Sequence, residues 1–347
     1  MANHRILAAL TLVAVCVLSG CAAEAVAPSP SVAPPAAEAT STPSPEPPRS
    51  KVPFSGDCAS VLPTDVAREI FLGAEPQVHA PNRPHGVMPD TSASLARLGG
   101  LMCWWTADDA QIGYLSVTMI PVGAVPESLV TAHAEFGCYG WAICGRAETR
   151  FGMWVLSETT RQYGPETELS ESEAQALRSA VDAGIEAIFA RSPEEVSGVP
   201  EEATEEWWTL PDCTALEQPV AAAAGMANPE SGFPGDNIPE GPAWEVIEGE
   251  GVAAWCPWYE YSASGSTLIT EIQMQSGVGG PSPAQLEAAG AVAISIPGAD
   301  AAYRIDDGSG SGARAVEVLA IVGPNRIVVG GDRPEEVAAA ALTVLMP

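Results

Sequence analysis

Lysine is almost missing from this chain. Lys51 is its only one, and 15 Lys and Arg stand against 44 Asp and Glu, a formal charge of −29. A single lysine ahead of the folded part excludes Schiff-base chemistry there and any P-loop. Such an excess of acid leaves no electrostatic grip on nucleic acid or an anionic surface. Histidine is scarce as well, with His4, His79, His85 and His133 only. No Gly-x-Ser-x-Gly elbow, Ser-x-x-Lys pair or dinucleotide fingerprint occurs. No apolar run is long enough to span a bilayer; the longest, Ile6 to Leu18, falls short of the roughly 20 residues required.

That short run has a different use. His4 and Arg5 precede it, and Leu18-Ser19-Gly20-Cys21 follows it. Charged start, apolar middle and small residues before a cysteine are the parts of an export signal. The last four residues resemble the lipobox of bacterial lipoproteins, in which the cysteine becomes the first mature residue and carries the lipid. Residues 1–20 are therefore expected to be a signal peptide, and Cys21 the lipidation site on the outer face of the cell membrane. Residues 21–53 are rich in Pro, Ala, Ser and Thr without apolar periodicity. Such a tether cannot bury enough surface to order itself, and its prolines hold it extended.

After Cys21, and leaving aside Cys16 in the expected signal, six cysteines remain: Cys58, Cys103, Cys138, Cys144, Cys213 and Cys256. An even number in an exported chain points to disulfides. Local sequence narrows the pairing. Asp57-Cys58 opens a short helical stretch ending at Gly73, and Asp212-Cys213 opens another ending at Gly225. Met102-Cys103-Trp104-Trp105 and Trp255-Cys256-Pro257-Trp258 follow at nearly equal separations. This is duplication of a domain rather than a solenoid. The expected bonds are Cys58–Cys103 and Cys213–Cys256, each worth about 4 kcal/mol in the chain-entropy model, and Cys138–Cys144, worth about 2 kcal/mol. A zinc site at Cys138-x5-Cys144 lacks the short Cys-x2-Cys spacing and a second ligand pair.

The duplication runs on downstream. Gln111 to Ile120 and Thr267 to Gln275 read as strands, and in the second Leu268, Thr270, Ile272 and Met274 alternate with Ile269, Glu271, Gln273 and Gln275. Helices open at Pro126 and at Ser282-Pro283-Ala284-Gln285, the latter a capping box. Hairpins follow, 142–149 with 153–159 and 314–322 with 326–330. Closing helices start at Ser170-Glu171-Ser172-Glu173 and Asp332-Arg333-Pro334-Glu335. The expected organisation is a first domain over 54–191, an acidic linker over 192–206 and a second domain over 207–347. The linker, with Glu194, Glu195, Glu201, Glu202, Glu205 and Glu206, has no periodic face and reads as a hinge that leaves the domains free to move or to pack pseudo-symmetrically.

Lipobox, Pro-rich tether, Asp-Cys before a short helix and Cys-x-Trp opening a strand resemble the domain-of-unknown-function lipoproteins of actinobacteria. They are more distantly similar to the extracellular sensor domain of a mycobacterial serine/threonine kinase. The resemblance implies an α+β fold, an antiparallel sheet with helices packed on one side, here twice in tandem. It carries over no catalytic residue. The first half fits with Cys-Trp-Trp; the second departs with Cys-Pro-Trp and has no extra cysteine pair.

Candidate chemistry is sparse. His79 and His85 lie in loop-like sequence, and the second half has no histidine. Asp306 to Gly312 lacks the alternating acids and closing Glu of a calcium loop and reads as a hairpin connection. No metal, cofactor or catalytic residue is assigned. Of nine tryptophans, Trp105 and Trp258, each just after a cysteine, are the expected ligand contacts if an aromatic is exposed. The leading expectation is a non-enzymatic surface lipoprotein holding a small ligand or an envelope protein between or on its two domains. A cell-envelope hydrolase would need converging carboxylates or a His site, and a structural partner of an envelope complex would need neither.

Overall fold

Two antiparallel sheets built on one plan account for the duplication. The structure is a computed structural model. It describes residues 51–79, 91–108, 110–139, 143–161, 169–227, 229–231, 241–262, 265–306 and 316–346. The signal, Cys21, residues 22–50 of the tether, His85, Trp141 and the Gly-rich run after Asp306 lie outside them; the end of the expected tether, Lys51 to Pro53, instead belongs to the fold, with Lys51 paired to the backbone of Val199 and Pro53 buried. No helix among the described residues is long and apolar enough to cross a membrane.

In the first half the order is α1 (Thr64–Ile70), β1 (Gln77–His79), α2 (Thr91–Arg97), β2 (Leu101–Thr106), β3 (Ile112–Pro121), α3 (Glu127–Ala132), β4 (Gly137–Tyr139), β5 (Ile143–Arg150), β6 (Met153–Arg161) and α4 (Glu171–Phe189). A one-turn helix α5 (Pro193–Val196) follows. The second half runs α6 (Cys213–Ala224), β7 (Glu230–Ser231), α7 (Pro242–Gly249), β8 (Ala253–Ser262), β9 (Gly265–Gln275), α8 (Pro283–Ala288), β10 (Val292–Ile294), β11 (Ala301–Asp306), β12 (Val316–Val322), β13 (Asn325–Gly331) and α9 (Pro334–Leu345). The sheets are ordered β1-β2-β3-β6-β5-β4 and β7-β8-β9-β13-β12-β11-β10. They match strand for strand, with β10 added at one edge. Cys103 stands opposite Val117, and Cys256 opposite Ile272, so the register is repeated too.

Local sequence explains where the helices begin. Ser170 and Ser282 each accept from the backbone three residues on, and Glu173 and Gln285 return the bond. Asp212 caps α6 through Thr214, which holds its carboxyl below the usual range. Helices α1 and α4 cover the outer face of the first sheet, with Ile70, Leu177, Val181, Ile185 and Ile188 in one core with Cys103, Leu115, Val117 and Val155. On the second sheet α6 and α9 do the same, with Leu216, Val220, Val337 and Leu342 against Cys256, Ile272, Met274 and Val318.

All three expected disulfides are formed. Cys58–Cys103 and Cys213–Cys256 span 45 and 43 residues and tie the opening helical segment of each half to its first core strand. Cys138–Cys144 joins directly opposed residues of β4 and β5. A Cys138→Ala/Cys144→Ala double variant is expected to lose about 2 kcal/mol, read as a shifted denaturant midpoint with an unchanged slope.

The stretch between the halves does not hang free. Ser192 and Glu195 make a capping box that opens α5, and Val196 is fully buried. Val199 and Lys51 exchange backbone hydrogen bonds at 2.7 and 3.1 Å. A Cβ on Gly198 would stand 1.6 Å from the carbonyl oxygen of Gly99, so only glycine admits this approach of the two backbones. Gly198→Ala is expected to lift the linker and open it to limited proteolysis, with cleavage near residue 200 the readout. The described residues, from Lys51 on, belong to one compact unit.

Candidate functional site

The inner faces of the two sheets meet, and the helices that precede each Cys-containing strand, α2 and α7, pack together there. One core holds Leu95, Met102, Ile120, Trp154 and Leu156 from the first half with Trp244, Val246, Ile247, Trp255, Leu319 and Val328 from the second. The junction is also polar. On β9 the residues facing it are Glu271, Gln273 and Gln275, all within 1% of full burial. Trp255 Nε1 donates to Glu271 at 3.1 Å, Arg326 Nε to Gln275 Oε1 at 2.6 Å, and Gln275 Nε2 to Ser94 Oγ on α2 at 2.8 Å. Asn325 fastens the linker's exit. Its side chain accepts from the backbones of Trp208 and Gly277 and donates to the carbonyl of Glu206.

At the rim of this junction lies an open cavity of about 500 Å³. Helix α2 gives it Ala93, Ala96 and Arg97, the linker gives Glu201, and the second half gives Gly277, Val278, Gly279 and Pro324. Small residues leave the space unfilled. Arg97 lies 3.8 Å over the Trp207 ring and donates from Nη1 to the Ser276 carbonyl at 2.5 Å. Burial pushes Arg97 down to about 10, against the pull of Glu201 and Glu250. Gly277 is required beside it, since a Cβ there would meet the Trp207 ring at 2.7 Å. The cavity thus offers one cation and one carboxylate among small apolar groups.

The expected aromatic contacts are corrected. Trp105 is 4% exposed and Trp258 fully buried, each in the outer core of its half. The reason is strand periodicity: both lie two residues after a disulfide cysteine and so share its core-facing side. The odd neighbours, Trp104 and Trp255, take the inner face. Trp255 is buried in the junction, whereas Trp104 is 38% exposed where the first sheet extends past it. Tyr114, 52% exposed, shares that face.

Glu158 lies opposite Ser116, which in turn opposes Trp104. Burial alone pushes its carboxyl from 4.5 up to about 7, with no charged neighbour contributing. The folded state therefore holds a proton there that the unfolded chain releases above pH 4.5. Stability from this group is full below that pH and declines as pH rises through about 7. Glu158→Gln is expected to flatten the pH dependence of the melting temperature in that window and to be the more stable form at pH 8.

The histidines do not converge. His79, on β1, lies 2.5 Å by Nε2 from Thr106 Oγ1. His133 is buried against the edges of Tyr139 and Trp154, and burial lowers its pKa while Glu245 on α7 pulls the other way. Among the described residues no three His, Cys, Asp or Glu stand close enough to hold a metal ion. Comparison with known proteins returns no matching family model, no matching curated relative and no matching solved structure.

Proposed function

We propose that this chain is a lipid-anchored extracytoplasmic binding protein, held through Cys21, that takes a small zwitterion such as a free amino acid in the junction cavity. The observation that carries the reading is Arg97, a half-buried cation that donates to the Ser276 carbonyl at the wall of an open cavity which Glu201 also lines. A ligand carboxylate would accept charge-assisted bonds from Arg97, and the negative charge of Glu201 on the same lining would favour an ammonium on that ligand. The surrounding acidity disfavours a plain anion, which is why both charges are assigned to one ligand.

The test is calorimetric titration of the mature protein with the common amino acids, alongside the matching amines and carboxylates. Saturable binding is expected for at least one amino acid and for neither half-molecule. Arg97→Gln and the cavity-filling Ala96→Leu, which keeps Arg97, should both abolish it. Binding that survives Ala96→Leu would place the ligand elsewhere. The anchor is tested apart from the ligand: Cys21→Ser should lose palmitate labelling and leave the membrane fraction or persist as an uncleaved precursor.

A further inference from the structure

The inner face of the first sheet is used twice over its length. The rows through Ile120 and Trp154, and through Met102, Thr118 and Leu156, are covered by the second half. Beyond them lie the row His79–Trp104–Ser116–Glu158 and the neighbouring pair Thr106–Tyr114, in which Trp104 and Tyr114 are 38% and 52% exposed. Trp104 and Tyr114 are diagonal neighbours on this face, a spacing within reach of large side chains. Around them stand the half-buried hydroxyl residues Thr106 and Ser116, the imidazole of His79 and the carboxyl of Glu158.

The duplication shows which of these residues folding requires. Both halves keep Cys-x-Trp on the core side, Cys103 with Trp105 and Cys256 with Trp258. At the place of Trp104, between cysteine and core tryptophan, the second half has Pro257. At the place of Glu158, opposite β9, it has Gly330. The plan folds without an indole or a carboxyl at these positions. In the first half the indole is kept in partial contact with solvent beside a second exposed ring, an arrangement that apolar burial does not explain.

We propose that this aromatic face is a carbohydrate-binding surface for a neutral saccharide, separate from the junction cavity. The flat rings suit stacking on the C–H face of a pyranose, and the hydroxyls and imidazole around them supply donors and acceptors for sugar hydroxyls. With a formal charge of −29 the chain repels polyanions, which selects neutral glycans over charged ones. The surface is a shallow platform on a sheet, suited to one stretch of a polymer rather than an enclosed monosaccharide.

The test is native affinity electrophoresis of the mature protein through gels containing a β-glucan, a mannan or an arabinogalactan, with an anionic polysaccharide and a hydrophobic peptide as comparators. At least one neutral polymer is expected to retard the protein. Trp104→Ala and Tyr114→Ala should each weaken that retardation by about tenfold or more while melting within a few degrees of the parent, since neither ring belongs to a buried core cluster. Tyr261→Ala, an exposed ring on the second sheet, should leave it unchanged. The proposal is overturned if no neutral polymer retards the protein, if only the anionic polymer or the peptide does, or if Trp104→Ala binds as the parent. Ala96→Leu should not alter the retardation, so failure here and failure of the zwitterion reading are told apart.

Discussion

Expressed alone, residues 207–347 are expected to give a molten or aggregating product rather than a stable monomer, despite carrying a complete sheet and a disulfide. Each sheet has a second apolar face, and that face is finished only by the other half. Separation exposes Trp244, Val246, Ile247, Trp255, Leu319 and Val328, all buried in the intact chain. A fully buried large apolar side chain is worth about 1.5–3 kcal/mol over an exposed one. Even if half of that packing is internal to the second half, the loss rivals the 5–15 kcal/mol by which ordinary domains are stable. The same cut removes Ser94 from Gln275 and Arg97 from Ser276. The measurement is dye binding and near-ultraviolet circular dichroism of the isolated segment. A monomer with a sharp, cooperative melt close to that of the intact chain would show that the shared core is dispensable.

This bears on how the binding sites work. Twin domains with a hinge would close on a ligand. Halves that share a core, with the linker bonded into both, offer a site that is largely formed in advance. Scattering of the intact protein is accordingly expected to show no compaction when a ligand enters the junction cavity.

Much of the plan was legible in the sequence because its signals are local. Asp57-Cys58 and Asp212-Cys213, the capping boxes at Ser170 and Ser282, and the alternation along β9 each report on a few neighbouring residues, and each is found in place. The junction was not legible, for three physical reasons. Helices α2 and α7 are only seven and eight residues long, too short for an apolar period to stand out from the sequence around them. The polar residues of β9 suggest a solvent face, because alternation tells two sides apart without telling which is wet. The acidic linker resembles an exposed hinge in composition, yet Val196, Gly198 and the backbone of Val199 fasten it. The misplacement of Trp105 and Trp258 is different. The cysteine marks the core side of its strand, so counting two residues on from it puts both rings indoors and leaves Trp104 as the surface candidate.

Arg326→Met is expected to cost about 3 kcal/mol, the largest effect of any single substitution considered, and the reason lies in that buried polar face. Arg326 is 4% exposed on β13 directly opposite Gln275 on β9. Its Nε–H holds Gln275 Oε1, which turns the Gln275 amide toward Ser94 on α2, so a chain of bonds runs from the second sheet into the first half. Methionine fits the space but takes away every donor. Gln275 Oε1, still buried, then loses the Arg326 Nε–H, and a buried acceptor deprived of a donor costs more than the bond contributed. For a folded part of this size 3 kcal/mol lowers the melting temperature by roughly 5 °C. A rescue variant separates packing from polarity: Arg326→Met with Gln275→Leu removes both ends of the bond and should recover part of the loss, leaving Ser94 with water or a backbone acceptor. If the double variant is no more stable than Arg326→Met alone, the loss comes from packing around the arginine stem and the polar chain across the junction contributes little.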